Sequence, residues 1–256
     1  MPGRLSQVSE PMNAVRLDTA PIARERILLA LDMPDVDAAL TLAAAVLPWV
    51  GGVKIGKEFF SANGPAGVRR IAQLGLPIFL DLKFHDIPNT VAAAIRASLP
   101  LRPRMLNVHA FGGAAMLRAA AEAVASAPDS ERPVLLAVTV LTSLDAADLT
   151  AIGILRPLPD LVEDLARSAQ ACGLDGAVCS PREVKRLRQV CGRDFVLVVP
   201  GVRPSWASSG DQKRVMTPAE AIDAGADYLV IGRPISGADD PAEAAERILT
   251  EVADAR

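Results

Sequence analysis

Residues 27–55 read ILLALDMPDVDAALTLAAAVLPWVGGVKI. A short apolar run, Ile27–Asp32, gives way to a loop, then to a segment with helical periodicity, Val36–Leu47, then to a second short apolar run, Gly52–Ile55. Alternation of this kind argues for parallel strands covered by helices. The unit recurs down the chain. Further strands are predicted at Ile78–Lys83, Met105–His109, Val134–Thr139, Gly176–Cys179, Phe195–Pro200 and Tyr228–Ile231. Further helices are predicted at Gly64–Leu74, Val91–Leu99, Ala114–Ala125, Leu161–Cys172, Pro181–Val190, Pro218–Ala224 and Pro241–Val252. Pro181, Pro218 and Pro241 fall where a first helical turn tolerates proline, because its missing N–H would be unpaired there anyway. Eight such units close a single-domain α/β barrel of the (β/α)8 (TIM) type over residues 27–256, with an open doubly wound sheet as the alternative.

Composition narrows the function. The chain has 256 residues, half of them apolar, which suits one large domain with a buried core. A net charge of -3 with 22% charged residues supplies no basic field for nucleic acid, so a small ligand is the better expectation. Apolar runs such as Ile27–Leu31 and Phe195–Val199 are far shorter than the roughly 20 residues needed to cross a bilayer. Cys172, Cys179 and Cys191 include no C-x-x-C pair, and two histidines are too few for an ordinary zinc site. The expectation is a reducing cytoplasm, with no metal and no cofactor. Met1–Arg26 carries scattered charges and prolines and reads as a partly flexible extension without an address.

The chemistry concentrates at predicted strand ends. In Asp81-Leu82-Lys83-Phe84-His85-Asp86-Ile87-Pro88-Asn89-Thr90, Asp81 and Lys83 are two apart and share one side of their strand. Charge at the end of an interior-facing strand costs several kcal/mol unless it is paired or used, so it is either a structural plug or a site. Asp86 adds a second carboxylate, Lys54 a second ammonium, and Asp32 closes the first strand in the same way. Lys83 is the better acid, since two nearby carboxylates favour its charged form. His85 and His109 lie on different strands with no serine or cysteine nucleophile motif around them; His109 reads equally as a hydrogen-bonded barrel filler.

Two long connections, Thr142–Pro159 and Gly201–Thr217, are rich in Ser, Gly and Pro and would rise from the C-terminal face of a barrel, where substrates bind. Barrels often hold phosphate with the loops after strands seven and eight. Those positions read Pro200-Gly201-Val202-Arg203, Gly210-Asp211-Gln212-Lys213-Arg214 and Ile231-Gly232-Arg233-Pro234-Ile235. Gly232 lets backbone approach an anion and Arg233 offers a bidentate fork, the alternative being a tight turn with a solvated arginine. Thr139-Val140-Leu141-Thr142-Ser143 offers hydroxyls and backbone amides to the edge of a planar heterocycle, or simply a turn.

The run from Asp81 to Val91 resembles the signature of the orotidine 5'-phosphate decarboxylases. The likeness extends through Leu29–Asp32, Val53–Gly56, Val138–Ser143, Pro200–Arg203, Gly210–Val215 and Ile231–Ile235, and covers about Ile27 to Val252. The Asp-x-Lys-x-x-Asp core is shared with barrels acting on keto-gulonate or hexulose phosphates, while His85–Thr90 and Gly210-Asp211-Gln212 favour the orotidine enzyme. The resemblance implies a homodimer whose two sites are each completed by the neighbouring chain. Lys54, Asp81 and Lys83 would come from one subunit, and Asp86 and Thr90 from the other. It implies that Asp32, Lys54, Asp86 and Thr90 hold ribose, that Ser143 reads the pyrimidine, and that Gln212, Gly232 and Arg233 grip phosphate, with Thr142, Pro200 and Arg203 also lining the substrate.

Loss of CO2 from C6 of orotidine 5'-phosphate, giving UMP, leaves a carbanion with no adjacent carbonyl to spread its charge. Most decarboxylases use a cofactor or metal as electron sink. No motif here supplies one. An ammonium fixed beside C6 can stabilise the developing charge and then deliver the proton, which assigns both jobs to Lys83. Asp81 would act by repelling the substrate carboxylate or by positioning Lys83. The rivals are a Mg2+-dependent phosphosugar barrel, and a non-catalytic nucleotide-binding barrel that would be expected to lack Lys83 or Asp81.

Overall fold

The structure, a computed structural model, describes residues 22–206 and 216–255. Eight short strands form the barrel: β1 (Ile27–Leu31), β2 (Gly52–Ile55), β3 (Ile78–Phe84), β4 (Met105–His109), β5 (Val134–Val138), β6 (Gly176–Val178), β7 (Val196–Pro200) and β8 (Tyr228–Ile231). Every neighbouring pair is parallel, and β1 pairs with β8 through Ile27↔Leu229 and Leu29↔Ile231, so the sheet closes on itself. This is the predicted (β/α)8 architecture.

Ten helices are described around it: α1 (Val36–Val46), α2 (Lys57–Ala72), α3 (Pro88–Ser98), α4 (Gly113–Ala125), α5 (Ala146–Ala151), α6 (Leu158–Ala171), α7 (Val184–Cys191), α8 (Pro218–Asp223), α9 (Arg233–Ser236) and α10 (Pro241–Ala253). The strands are continuous Val/Ile/Leu runs because both faces are covered. Alternate residues face inward: Leu28, Phe79, Met105, Leu136, Val138, Val178, Val196, Val198 and Tyr228 pack together as the barrel's filling. The residues between them, such as Leu29, Val53, Leu80, Leu106 and Leu197, pack against the helices. Apolar side chains thus plug the lower barrel, while the next inward positions toward the strand ends carry Lys54, Asp81 and Asn107.

Several boundaries differ from the sequence reading, among them a start of α3 at Pro88, a 3-10 turn at Pro181–Glu183 before α7, and the unexpected short α9, and three differences matter most. The helix expected to start at Gly64 begins at Lys57, with Gly64 at φ 56° forming a kink inside it. Pro65 follows that kink in the first turn of the second half, so the sequence signal marked a restart rather than a start. The connection predicted as loop over Thr142–Pro159 contains α5, whose Asp145 and Asp148 cap each other's backbone, and α6 already begins at Leu158. The residues before β1 include a 3-10 turn, Ala23–Arg26, which is tied down where Arg24 donates to the Leu47 carbonyl at 3.0 Å and Arg26 to the Ala226 carbonyl at 3.3 Å. The remainder of the expected extension, 1–21, lies outside the described residues.

At the opposite end from the strand termini, Arg188 of α7 donates to the carbonyls of Gly192, Arg193, Phe195 and Gly225 and to Asp227 Oδ2 at 2.6 Å. The same Asp227 oxygen accepts from the Leu197 N–H at 2.7 Å, which fixes the entry of β8 to that of β7. Among the described residues no helix is long and apolar enough to cross a membrane.

Candidate active site

A cavity of about 300 Å³ opens at the C-terminal ends of the strands. It takes Ala30 and Asp32 from β1 and the residue beyond it, Lys54 from β2, Phe79, Asp81 and Lys83 from β3, Val138 to Thr142 around the end of β5, Val178 and Cys179 from β6, Pro200, Gly201 and Arg203 from β7 and its loop, and Val230, Gly232 and Arg233 from β8 and its turn. The floor is the apolar filling of the barrel. Four of the charges, Asp32, Lys54, Asp81 and Lys83, stand together at the ends of β1 to β3, across from Arg203 and Arg233.

Those charges alternate in sign. Lys54 Nζ donates to Asp32 Oδ1 at 2.5 Å and stands 3.8 Å from Asp81 Oδ2, while Lys83 Nζ donates to Asp81 Oδ1 at 2.6 Å. Lys54 and Asp81 are buried, 6% and 9% exposed, so each needs the other's neighbourhood to offset its lost hydration. Gly56 makes room for the first pair: a Cβ there would meet Asp32 Oδ1 at 2.9 Å and Lys54 Nζ at 3.0 Å.

Lys83 reaches Asp81 by leaving regular strand geometry. The register runs Leu80↔Leu106 and then Phe84↔Val108, so Asp81, Leu82 and Lys83 together stand opposite the single residue Asn107. This is a bulge, and Lys83 adopts φ 51°, in the left-handed region. Asn107, fully buried on β4, fills the gap: its Oδ1 accepts from the Lys83 backbone N–H at 2.8 Å, and its Nδ2 donates to Asp81 Oδ1 at 2.6 Å. The sequence reading gave Asn107 no part. Its one local signal, an amide inside an apolar strand, does not say what it faces.

The expected phosphate residues converge. Pro200, Gly201, Arg203, Gly232 and Arg233 line the same cavity. The Arg203 N–H donates to the Met216 carbonyl at 3.0 Å, closing the stem of the seventh connection, and Arg247 of α10 stacks its guanidinium 4.2 Å over the Trp206 ring. Gly232 opens α9, where Arg233 is exposed. Thr142 also lines the cavity.

Other expected residues stand apart. Asp86 does not join Asp81 and Lys83 within the chain; it is exposed, and its carboxylate accepts from the Ile87 N–H at 2.7 Å at the approach to α3. Three residues of spacing carry it over the rim because the chain turns outward after Phe84 to begin α3 at Pro88. Thr90, on the first turn of α3, and Ser143, on the fifth loop, are likewise exposed and do not line the cavity. Gln212 lies outside the described residues.

Two neighbouring groups are held neutral. His109 is lowered to about 4, first by burial and then by the positive charges of His85, Lys57 and Lys83, with Asp81 working the other way. Its ring stands 5.5 Å from that of His85. Burial pushes the Cys179 thiol well above its usual range.

The comparisons with known proteins agree with this geometry. Orotidine 5'-phosphate decarboxylase of Moorella thermoacetica is 53% identical over 234 residues, covering 90% of this chain and 93% of that protein. The enzyme of the same name from Rhodospirillum rubrum is 53% identical over 237 residues, covering 91% and 96%. The crystal structure of orotidine 5'-phosphate decarboxylase from Lactobacillus acidophilus superposes with a TM-score of 0.78 at 37% identity, over 88% of this chain and 98% of that one. Residues 25–248 match the Orotidine 5'-phosphate decarboxylase / HUMPS family, and with relatives this similar along nearly their whole length, the chain belongs to that family.

Proposed function

We propose that this chain decarboxylates orotidine 5'-phosphate to UMP and CO2 in pyrimidine biosynthesis, without a cofactor, and that Lys83 protonates C6. The observation that carries the reading is the ion-paired series Asp32, Lys54, Asp81 and Lys83 lining a cavity with an apolar floor. The names of the relatives support the substrate.

The bond from C6 to the carboxylate carbon breaks, CO2 leaves, and the electron pair stays on C6. The Lys83 ammonium is fixed by Asp81 beforehand, so it stabilises that charge without reorganising as it forms. It then gives C6 a proton, and the neutral amine left behind takes another from solvent. Asp81 positions Lys83. Asp32 and Lys54 hold the ribose, Thr142 and Ser143 meet the base, and Pro200, Arg203, Gln212, Gly232 and Arg233 hold the phosphate. Contacts to the remote phosphate add to the rate when their binding energy organises the site.

The chain acts as a homodimer in this reading, with Asp86 and Thr90 entering the site of the neighbouring subunit. Their exposure at the rim and on the first turn of α3 is consistent with that route. A single catalytic domain over residues 27–256, with an N-terminal extension before it, works in the cytoplasm, where Cys172, Cys179 and Cys191 stay as free thiols.

The test is loss of orotidine 5'-phosphate absorbance with purified protein and EDTA. Activity that survives the chelator supports the reading; activity restored only by Mg2+ points to phosphosugar-type chemistry instead. Lys83→Ala is expected to lower kcat by at least about 10^2 to 10^4-fold, the usual worth of a general acid. Near-normal turnover in that variant removes Lys83 from its role.

A further inference from the structure

We infer that Asn107 is a positioning residue for the decarboxylation, holding both the carboxylate that aims Lys83 and the backbone from which Lys83 departs. The inference rests on the function proposed above and deepens it by adding a residue on a strand that otherwise brings no group to the charge series.

Asp81, Leu82 and Lys83 share the space opposite Asn107 alone, so the Lys83 N–H falls outside the regular backbone ladder between β3 and β4. A buried N–H left unpaired costs about 1–3 kcal/mol, and a non-glycine residue at positive φ adds strain of similar size. Asn107 Oδ1 takes up that N–H at 2.8 Å. Its other half, Nδ2, then necessarily faces away from Lys83 N, and there it meets Asp81 Oδ1 at 2.6 Å.

One planar amide therefore spans two things that must keep a fixed separation. Asp81 Oδ1 receives both the Asn107 amide and the Lys83 ammonium. If the amide lets go, the carboxylate can rotate about its own side chain toward Lys54, now 3.8 Å from Oδ2, and the bulge can relax toward regular strand. Either motion carries Lys83 Nζ away from its aim. Asparagine suits the post better than its neighbours in chemistry: aspartate offers no donor at neutral pH, leucine neither donor nor acceptor, and glutamine is a methylene too long for a fully packed position. Asn107 itself need not touch the substrate.

Two variants test this in the full-length protein. Asn107→Leu keeps the branching and the heavy-atom count of the side chain, with bulkier methyl ends, and loses both hydrogen bonds. Binding of UMP, measured by calorimetry, should stay within about threefold of the parent while kcat on orotidine 5'-phosphate falls by about a hundredfold, the usual cost of misplacing a reacting group by an ångström. Asn107→Asp keeps the shape and the acceptor for Lys83 N–H but sets a second carboxylate against Asp81. One of two such carboxylates binds a proton more readily, and the protonated carboxyl can donate as the amide does. The ratio of the kcat of Asn107→Asp to that of the parent should therefore rise by about tenfold as the pH is lowered from about 8 to about 6. The charged and titratable groups around this position are Asp81, Lys54, Lys83 and His109, and taking the ratio to the parent removes whatever part of the pH dependence the two proteins share.

A purely structural asparagine gives a pH-independent ratio, and UMP binding that falls together with kcat. That pattern, or a kcat for Asn107→Leu within about threefold of the parent, overturns the inference. Should the parent protein itself leave orotidine 5'-phosphate untouched, the proposed function fails and takes this role with it. That failure shows before any variant is assayed.

Discussion

Gly56 and Lys54 are so close that a Cβ on the first would stand 3.0 Å from the ammonium of the second. The backbone of Gly56, at φ -93° and ψ -174°, is open to any residue, so the glycine is there for space. Gly56→Ala should leave stability within about 1 kcal/mol, since its obstruction is the movable end of a side chain. It should nevertheless lower kcat/KM by tenfold or more, because the Asp32–Lys54 pair must shift by a few tenths of an ångström and Asp81 follows. Steady-state kinetics beside thermal unfolding of the same sample separate the two effects. Unchanged kcat/KM would show that the pair tolerates displacement.

Arg233 discriminates a phosphate contact from a structural one. Arg233→Ala should impair orotidine 5'-phosphate by about a hundredfold or more, as expected for loss of a charge-assisted bidentate contact. The phosphate-free nucleoside, which never uses that contact, should be almost unaffected. Equal losses with both substrates would mean that Arg233 supports α9 instead.

The shared site can be tested by mixing two inactive variants, Lys83→Ala and Asp86→Ala, and allowing the chains to exchange. A mixed dimer has one site with both defects and one with neither. Random pairing makes about half of the dimers mixed, so activity should recover to about a quarter of wild type on twofold symmetry. If mass spectrometry shows exchange while activity stays at the level of the separate variants, Asp86 acts within its own subunit.

His109 gives the fold an acid-side sensitivity. Its folded value of about 4 lies below the ordinary 6.5, so between those two values the unfolded chain binds the extra proton and the folded chain does not. Stability from this group is complete above about pH 6.5 and is lost as the pH falls toward about 4. His109→Gln should therefore narrow the difference in Tm between pH 7 and pH 4.5 relative to the parent. An identical pH dependence in the two proteins would mean that other groups govern the loss.

Much of the site was legible because strand ends are positions where charge has no packing excuse. Asp32, Lys54, Asp81 and Lys83 each stand out against an apolar run, and Asp81 and Lys83 do meet on one side, though through the bulge at Lys83 and not through the regular alternation that their two-residue spacing assumes. Asn107 was missed because its partners lie 24 and 26 positions away, across a bulge that no local pattern announces. Asp86 does not join its sequence neighbours within one chain, because α3 sets off in another direction before a side chain at that position can turn inward, and the place in the neighbouring subunit that the resemblance implies for it is left to the mixing experiment. The first half of α2 and all of α5 escaped the periodicity reading because one is interrupted by Gly64-Pro65 and the other is a six-residue helix held mainly by its capping box.

Because β1 closes the barrel against β8, the first strand to be synthesised waits for the last. At the usual ~5–20 residues per second of translation, that wait is on the order of ten seconds or more. Throughout it, β1 and the most recent strand each present a row of unpaired backbone groups, the kind of edge on which other chains assemble. The charge series from Asp32 to Lys83 is made early, whereas Gly232 and Arg233 arrive only with the closing strand. A nascent chain released anywhere before Tyr228 is thus expected to carry most of the chemistry on a sheet with two adhesive margins, and to reach the inclusion body before it reaches a substrate.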